Sequence, residues 1–449
     1  MSKKIKVCFV SLYSYPLFKP DSENFFGGSE VRVARFAKGL AKKEEFDVSL
    51  IVFDHGQDDL EIHNNVKIIK WPGKISPYNN FLKNDEVSRE IIKQEKSTPK
   101  AISFIERMID HKINWIACFF TNIYSILKLG HLLTSSLLHL EKHFGWIGIH
   151  SVKKSDIGIF DMLAADIYIS PGVNTISAWL GIYCKKRKKK NIILCASDID
   201  YSERHLTKPY SPGIYGSHGF IMAYAIKAAS MHVVQTQAQK QQLNNIYHRN
   251  SVLIENPARL QGKTKNITNK VGVLWVGKAH PNKQPELFID LARALPEFQF
   301  TMIINYTYNH IYEACLEQGE LLENLKVIGF ERYERIGRYY DQAKIFINTS
   351  LKEGFPNTFL EAALCGTPII SLNVDPQGML KKYICGVFCE GQVDDLEKSV
   401  IEMHEDRASY NQMSKNCMKY VREFHNPSEK VEKLSATIKK LMTANAIVQ

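Results

Sequence analysis

Nine cysteines lie scattered between Cys8 and Cys417, and no Cys-x-x-Cys pair occurs anywhere in the 449 residues. Cys385 and Cys389 stand four apart without the second pair that a zinc site would need, and the odd total does not suit a disulfide framework. Reduced thiols in a cytosolic protein are therefore expected. No apolar run reaches the roughly 20 residues of a membrane helix; the uncharged stretch 113–127 has fifteen. Neither half carries Gly-x-Gly-x-x-Gly with an acidic residue about 20 positions on, which argues against a dinucleotide-dependent dehydrogenase. Short repeats and low-complexity tracts are absent too. The basic and apolar start, Lys3 to Val10, lacks a small-residue cleavage site and runs into Tyr13, Tyr15 and Pro16. A first buried strand explains it better than a signal peptide.

What is present is ordinary globular material, 45% hydrophobic and 23% charged. The length exceeds one core, so two domains are expected. A net charge of +11 and a pI near 9.0 favour anionic partners. Nucleotides, anionic lipids, phosphorylated carriers and nucleic acid all have that sign.

Apolar periodicity then organises the chain. A strand over 5–10 is followed by the loop Gly27-Gly28-Ser29-Glu30 and a helical pattern through Val33, Phe36, Ala37, Leu40 and Ala41. Strands follow at 48–53 and 66–71, then long helices over about 84–160, then strands at 167–170, 192–196 and 231–235. A polar linker is expected at 261–270. The second half repeats the pattern: a strand at 271–276, a polar loop at 278–283, and a helix opened by Pro285. Strands at 300–304, 326–328, 345–348 and 368–371 complete it. Buried apolar strands alternating with helices predict an α/β protein with two doubly wound, parallel halves facing one another.

The most informative segment runs from Glu353 through Gly354, Phe355, Pro356, Asn357 and Thr358 to Glu361, and ends at Gly366-Thr367-Pro368. It follows a strand, turns at Gly354 and Pro356, and enters a short helix that Asn357 or Thr358 would cap. Backbone N–H groups at that helix start favour an anion. Glu353 precedes the helix and Glu361 lies about one turn inside, which suits two carboxylates facing a sugar nucleotide's hydroxyls. Upstream, Gly277-Lys278 is followed by Lys283 after a strand.

These residues resemble the Glu-x7-Glu signature and the phosphate loop of retaining GT-B glycosyltransferases, the "group 1" or family 4 class. The resemblance covers most of 1–60 and 165–425, and nothing over about 84–160. It implies that Glu353 contacts the transferred sugar and stabilises an oxocarbenium-like transition state. Glu361 would hold the ribose hydroxyls, while Lys278 and Lys283 neutralise the departing diphosphate. Gly354, Phe355, Pro356, Asn357 and Thr358 would line sugar and phosphate, and Gly27 and Gly28 would face the phosphates from the first domain. Lys278 stands where the family has arginine, keeping the charge and losing the bidentate fork. The donor is then a UDP- or GDP-linked sugar bound as substrate, with no cofactor and no metal. Gly329, Phe330 and Glu331 would lie near the base. A histidine usual on the acceptor side is missing from Leu194-Cys195-Ala196-Ser197-Asp198-Ile199-Asp200, which leaves Asp198 or Asp200 to face the acceptor.

Plainer readings stand beside these. Thr358-x-x-Glu361 also fits a capping box, and loop lysines are commonly just solvated. The run Lys185, Lys186, Arg187, Lys188, Lys189 and Lys190 has no interleaved aromatics, so a solvated loop or an anionic membrane surface is preferred to nucleic acid. The apolar stretch 113–140 reads either as core helices or as an interfacial segment. The expected domains are 1–258 on the acceptor side, 270–425 for the nucleotide sugar, and a helix at 426–449 returning to the first. The expected function is transfer of a sugar to a glycan or lipid-linked acceptor in polysaccharide or glycoconjugate assembly, in the cytoplasm or at the inner face of the membrane. A GT-B epimerase or a catalytically silent scaffold is the alternative.

Overall fold

The computed structural model describes residues 4–19, 26–71, 154–209, 211, 217–259 and 270–443. The helices expected over about 84–160 fall outside these residues as far as 153, as do the apolar stretch 113–140 and the linker as far as 269.

The apolar runs of the first half become an eight-stranded sheet. Its strands are β1 (Ile5–Val10), β2 (Phe46–Val52), β3 (Leu60–His63), β4 (Val66–Lys70), β5 (Ile167–Pro171), β6 (Lys190–Leu194), β7 (Met231–Val234) and β8 (Ser251–Leu253). The order is β3-β4-β2-β1-β5-β6-β7-β8. All pairings are parallel except β3 with β4, so the sheet is mixed at one edge where a purely parallel one was expected. β3 escaped the sequence reading because it alternates at an edge, leaving Leu60 and Ile62 exposed rather than forming an apolar run.

The second sheet holds β9 (Val273–Lys278), β10 (Phe300–Asn305), β11 (Leu325–Ile328), β12 (Ile345–Asn348), β13 (Ile369–Ser371) and β14 (Gly386–Phe388). It runs β11-β10-β9-β12-β13-β14, all parallel. β8 and β14 have three residues each, too few for a periodic signal.

Each sheet reverses winding direction beside its first strand, between β1 and β5 in one and between β9 and β12 in the other. Such points leave a crevice at the carboxyl ends of the strands. Out of the first crevice rises helix α1 (Gly28–Leu40), whose Val33, Phe36 and Leu40 pack on the sheet.

The last described helix, Pro427–Thr443, crosses back onto the first half. Its Val431, Leu434 and Ile438 share a core with Val33, Phe36 and Leu40. Gly39 permits that approach, since a Cβ there would lie 2.3 Å from Val431 Cγ2. Lys430, 2% exposed, is buried with Glu255 at 2.9 Å. The chain passes between the halves near 256–259 and again near 425–427, and the two passages are joined. The Ala258 N–H donates to the His425 carbonyl at 2.9 Å, and His425 Nδ1 lies 2.8 Å from the Asn256 carbonyl.

Two histidines are held neutral by this core. Burial pushes both His232 and His425 down to about 4. The Nε2–H of His232 donates to the Ile226 carbonyl and its Nδ1 accepts from the Tyr201 hydroxyl, an arrangement made for the uncharged ring. Among the described residues, buried His425 Nε2 has no acceptor for a second proton. The unfolded chain binds these protons near pH 6.5 and the folded chain only near 4, so their contribution is complete above 6.5 and lost as pH falls toward 4. Denaturant midpoints should therefore fall steadily between pH 6.5 and 4.5, and His232→Gln should flatten that slope. An unchanged slope in the variant would show that His232 already titrates normally.

Candidate active site at the seam between the sheets

The carboxyl ends of β9 and β12 build one wall. Trp275 on β9 donates its indole N–H to the Thr349 hydroxyl at 3.0 Å, and that hydroxyl donates to the Lys283 carbonyl at 2.6 Å. Asn282 donates its amide to the Lys352 carbonyl at 2.8 Å and accepts the Leu351 N–H on its own carbonyl at 2.8 Å. The loop 278–283 is thus stitched to the loop after β12, which brings Lys283 onto Glu353. The ammonium bonds Glu353 Oε1, and the Ser350 hydroxyl donates to the same oxygen at 2.9 Å.

Lys278 ends β9 and points at the opposite half. Burial pushes its ammonium below the usual lysine range, against the pull of Glu30 and with Lys283 adding to the depression. It has no hydrogen-bond or ion-pair partner among the described residues. A Cβ on Gly27 would lie 2.8 Å from its Nζ, so the glycine of the first half leaves the space that the lysine of the second occupies. Gly27 is also the N-cap of α1, and its N–H donates to Glu30 Oε2 at 2.8 Å. The predicted Gly27, Lys278, Lys283 and Glu353 therefore converge at one place, where the two crevices meet.

The helix after Glu353 spans Asn357–Leu364 with Pro356 at its N-cap position and no side-chain cap, so neither Asn357 nor Thr358 caps it. The asparagine is engaged elsewhere. Its amide donates to the Gly28 carbonyl at 2.8 Å, and its Oδ1 accepts from Arg35 Nη1 at 3.2 Å. Gly28 matters for closeness, since a Cβ there would sit 3.2 Å from Asn357 Nδ2. Thr358 is half-buried in the first turn. Glu361 does not fold back on Thr358 as a capping box would. Its Oε1 takes Arg35 Nη2 at 2.5 Å and the Tyr333 hydroxyl at 2.8 Å.

The turn between the carboxylates is gripped by amides from the first half. Gln235, just past β7, accepts the Phe355 N–H at 2.9 Å and donates to the Cys195 carbonyl at 2.5 Å. Asn256 donates to the Phe355 carbonyl at 2.9 Å. A Cβ on Gly354 would come within 2.8 Å of Gln239 Nε2 and 3.0 Å of Gln235 Oε1. Gln239 also donates to Asp198 at 2.8 Å. Burial raises the Asp198 carboxyl; the Gln239 bond lowers it and the charge of Glu353 raises it further, which places Asp198 beside the site. Asp200 goes elsewhere. Its carboxylate, pushed up to about 6 by burial, accepts the Ala196 N–H at 2.6 Å and the Ser197 N–H at 3.3 Å, and it holds the loop after β6 in shape.

Glu331, expected near a base, is already committed to Arg338 at 2.5 Å and the Tyr339 hydroxyl at 2.9 Å. The basic run lies at the amino end of β6, away from the seam. Lys185 and Lys186 close the helix Thr175–Lys186, Arg187 pairs with Asp161 at 2.6 Å, and Lys189 pairs with Asp166 at 3.5 Å. Lys188 makes the turn with φ of 54°, and Lys190 opens β6.

Sequence reasoning missed Arg35, Tyr333, Gln235, Gln239 and Asn256. A trace was there. Arg35 adjoins the apolar stripe of α1 at Phe36, and Gln235 and Gln239 form a polar i, i+4 pair where a buried strand hands over to a helix.

Two facing doubly wound halves with a returning terminal helix define the GT-B fold. Among solved structures, sucrose-phosphate synthase of Thermosynechococcus elongatus superposes with a TM-score of 0.63 at 13% identity, over 98% of this chain and 100% of that one. An Anabaena protein solved with UDP-glucose gives 0.58 at 12% identity, over 97% and 100%. Residues 259–420 match the family described as Glycosyl transferases group 1. The 2-deoxystreptamine N-acetyl-D-glucosaminyltransferase of Niallia circulans is 24% identical over 215 residues, covering 43% of this chain and 54% of that protein. The chain spans between 27% and 54% of the length of the curated relatives it matches.

Replacing Gln235 by leucine strands the Phe355 N–H in a buried seam. The expected cost is about 2 kcal/mol of unfolding free energy, read from denaturant midpoints. An unchanged midpoint would show that the Phe355 bond does not hold the seam.

Proposed function

We propose that this chain is a retaining, metal-independent glycosyltransferase that moves a sugar from a UDP- or GDP-linked donor to a glycan or lipid-linked acceptor. The observation that carries this reading is the meeting of Gly27, Lys278, Lys283 and Glu353 at the two facing crevices, with Glu361 one helical turn beyond. The matched group 1 region, which contains Lys278, Lys283, Glu353 and Glu361, supports it.

In this reading the diphosphate lies between Gly27 and the two lysines. Lys283 is bonded to Glu353 and Lys278 is desolvated, so a diphosphate offers one lysine a stronger anion and the other a counter-charge. As the bond between the anomeric carbon and the diphosphate oxygen breaks, negative charge grows on the leaving group and both ammonium groups stabilise it. Positive charge grows at the sugar, where Glu353 lies. The acceptor hydroxyl oxygen then bonds the anomeric carbon on the face the diphosphate leaves and passes its proton to the departing diphosphate, giving retention. Gly354, Phe355, Pro356 and Thr358 line the donor, with Asn357 tying the wall to Gly28. Asp198 serves the acceptor side, and Asp200 supports the loop beneath it.

Polysaccharide or glycoconjugate assembly is the setting this reading favours, in the cytoplasm or peripherally at the inner membrane face. Among the described residues no helix is long and apolar enough to cross a membrane. Contact with anionic lipid through Lys185 to Lys190 is part of the proposal. Flotation on anionic vesicles should carry the protein, and replacing Lys185, Lys186 and Lys188 by glutamine should abolish it. Protein that stays with the soluble fraction removes this part.

The donor site is tested by thermal shift with UDP, GDP, ADP, NAD and their sugar conjugates. At about 100 times Kd a ligand adds about 2.7 kcal/mol to the folded state. One nucleoside diphosphate should stabilise wild type and not Glu361→Ala. Stabilisation by NAD, or by none, overturns the reading. NMR of the product's anomeric coupling, with and without chelator, tests retention and metal independence. A new sugar nucleotide formed without acceptor would instead identify an epimerase.

A further inference from the structure

Resting on the donor site proposed above, we infer that Arg35, from the opposite half of the molecule, is a positioning residue for Glu361, so that the nucleotide's ribose is read only across a closed seam. Arg35 lies on α1, two turns inside the first half, yet its guanidinium is directed almost wholly at the second half and the passage between them. Nη1 donates to the Pro257 carbonyl at 2.7 Å and to Asn357 Oδ1 at 3.2 Å. Nη2 donates to the Tyr333 hydroxyl at 2.6 Å and to Glu361 Oε1 at 2.5 Å. Both side chains of the ion pair are largely withdrawn from solvent, at 13% and 10% exposure.

The distribution of bonds over the carboxylate carries the inference. Oε1 receives two donors, Arg35 and Tyr333, while Oε2 receives none among the described residues. A carboxylate pinned by one oxygen presents the other in a fixed direction, and an ionised oxygen accepting from a hydroxyl gives a strong, short bond. Glu361 is therefore built to accept from ribose hydroxyls through Oε2, with Oε1 as the anchor. An aliphatic Glu side chain has three rotatable bonds, and fixing them before the ligand arrives removes that ordering cost from binding.

The anchor itself is over-determined. Tyr333 opens the helix Tyr333–Gln342, and its ring is met by Phe26 edge-on at 5.5 Å and by the Arg259 guanidinium at 5.0 Å. Three residues of the first half or the passage, Phe26, Arg35 and Arg259, therefore converge on the Tyr333–Glu361 pair. Opening the seam would withdraw Arg35 and leave Glu361 with the Tyr333 hydroxyl alone. Ribose recognition and closure are then one event.

The test compares ribose with deoxyribose. Binding is measured calorimetrically on the full chain for whichever of UDP, GDP and ADP the wild type takes, and for its 2′-deoxy and 3′-deoxy counterparts. Wild type should bind at least one deoxy form about tenfold or more weakly, the value of one charge-assisted hydrogen bond. In Arg35→Ala the ribo form should weaken to within about threefold of that deoxy form, whose own affinity changes little. Tyr333→Phe keeps the ring packing and removes one of the two anchors, and it should show the same convergence in smaller measure. This second variant carries the test if Arg35→Ala does not fold. Equal weakening of ribo and deoxy forms in the variants overturns the inference, because a merely structural loss does not distinguish them. A wild type that binds a nucleoside diphosphate without preferring ribose removes Glu361 from the ribose and the inference with it. A wild type that binds none of the three defeats the glycosyltransferase reading itself.

Discussion

The Arg35 guanidinium is the one cation of α1 whose hydrogen bonds reach across the seam, and the arrangement of the site depends on that. It fixes Asn357 and Glu361 on one helix, and Asn357 in turn holds the Gly28 carbonyl at the start of α1. This connection is one of those that join the two crevices into a single site. Side-chain amides complete it at the Glu353 end, where Gln235 and Asn256 take the N–H and carbonyl of Phe355. Polar closure has a physical merit here. Hydrogen bonds are directional and weaken steeply when misaligned, so these bonds set the register of the two halves.

The charges at the centre are arranged in two layers. The inner layer is mutual: Lys283 with Glu353, Glu30 with the Gly27 N–H at the start of α1. The outer layer is Lys278, desolvated and without a bonded partner among the described residues. An amino end of a helix is itself a site of positive potential, and here a carboxylate from its own first turn already fills it. Lys278 thus supplies the positive charge in the space that Gly27 leaves open.

Much of this was legible in the sequence because it rests on local pattern. Buried strands wrote themselves as apolar runs, the helix starting at Pro285 began at its proline, and the Glu353–Glu361 spacing survived as one loop and one helical turn. What was not legible arises from pairings distant along the chain. Arg35 and Glu361 are 326 residues apart, and Gln235 and Phe355 are 120 apart. No spacing rule joins them. Pro356 stands at the N-cap position expected of Asn357, and the asparagine side chain instead meets Gly28 and Arg35 of the other half. Asp198 and Asp200 look alike as sequence, but residues two apart in a tight turn face different surroundings, and only one of them reaches the seam.

The two passages between the halves run side by side and are bonded to each other, Ala258 to His425 and His425 to Asn256. A pair of adjacent, mutually fastened crossings is a pivot with a defined line. Any separation of the halves that leaves both bonds in place is a rotation about that line, in the manner of a book opening on its spine. Sliding one half over the other, or twisting it about the perpendicular, would have to tear the spine. The two bonds therefore favour rotation about that line over sliding, and contacts across the seam lie along its arc.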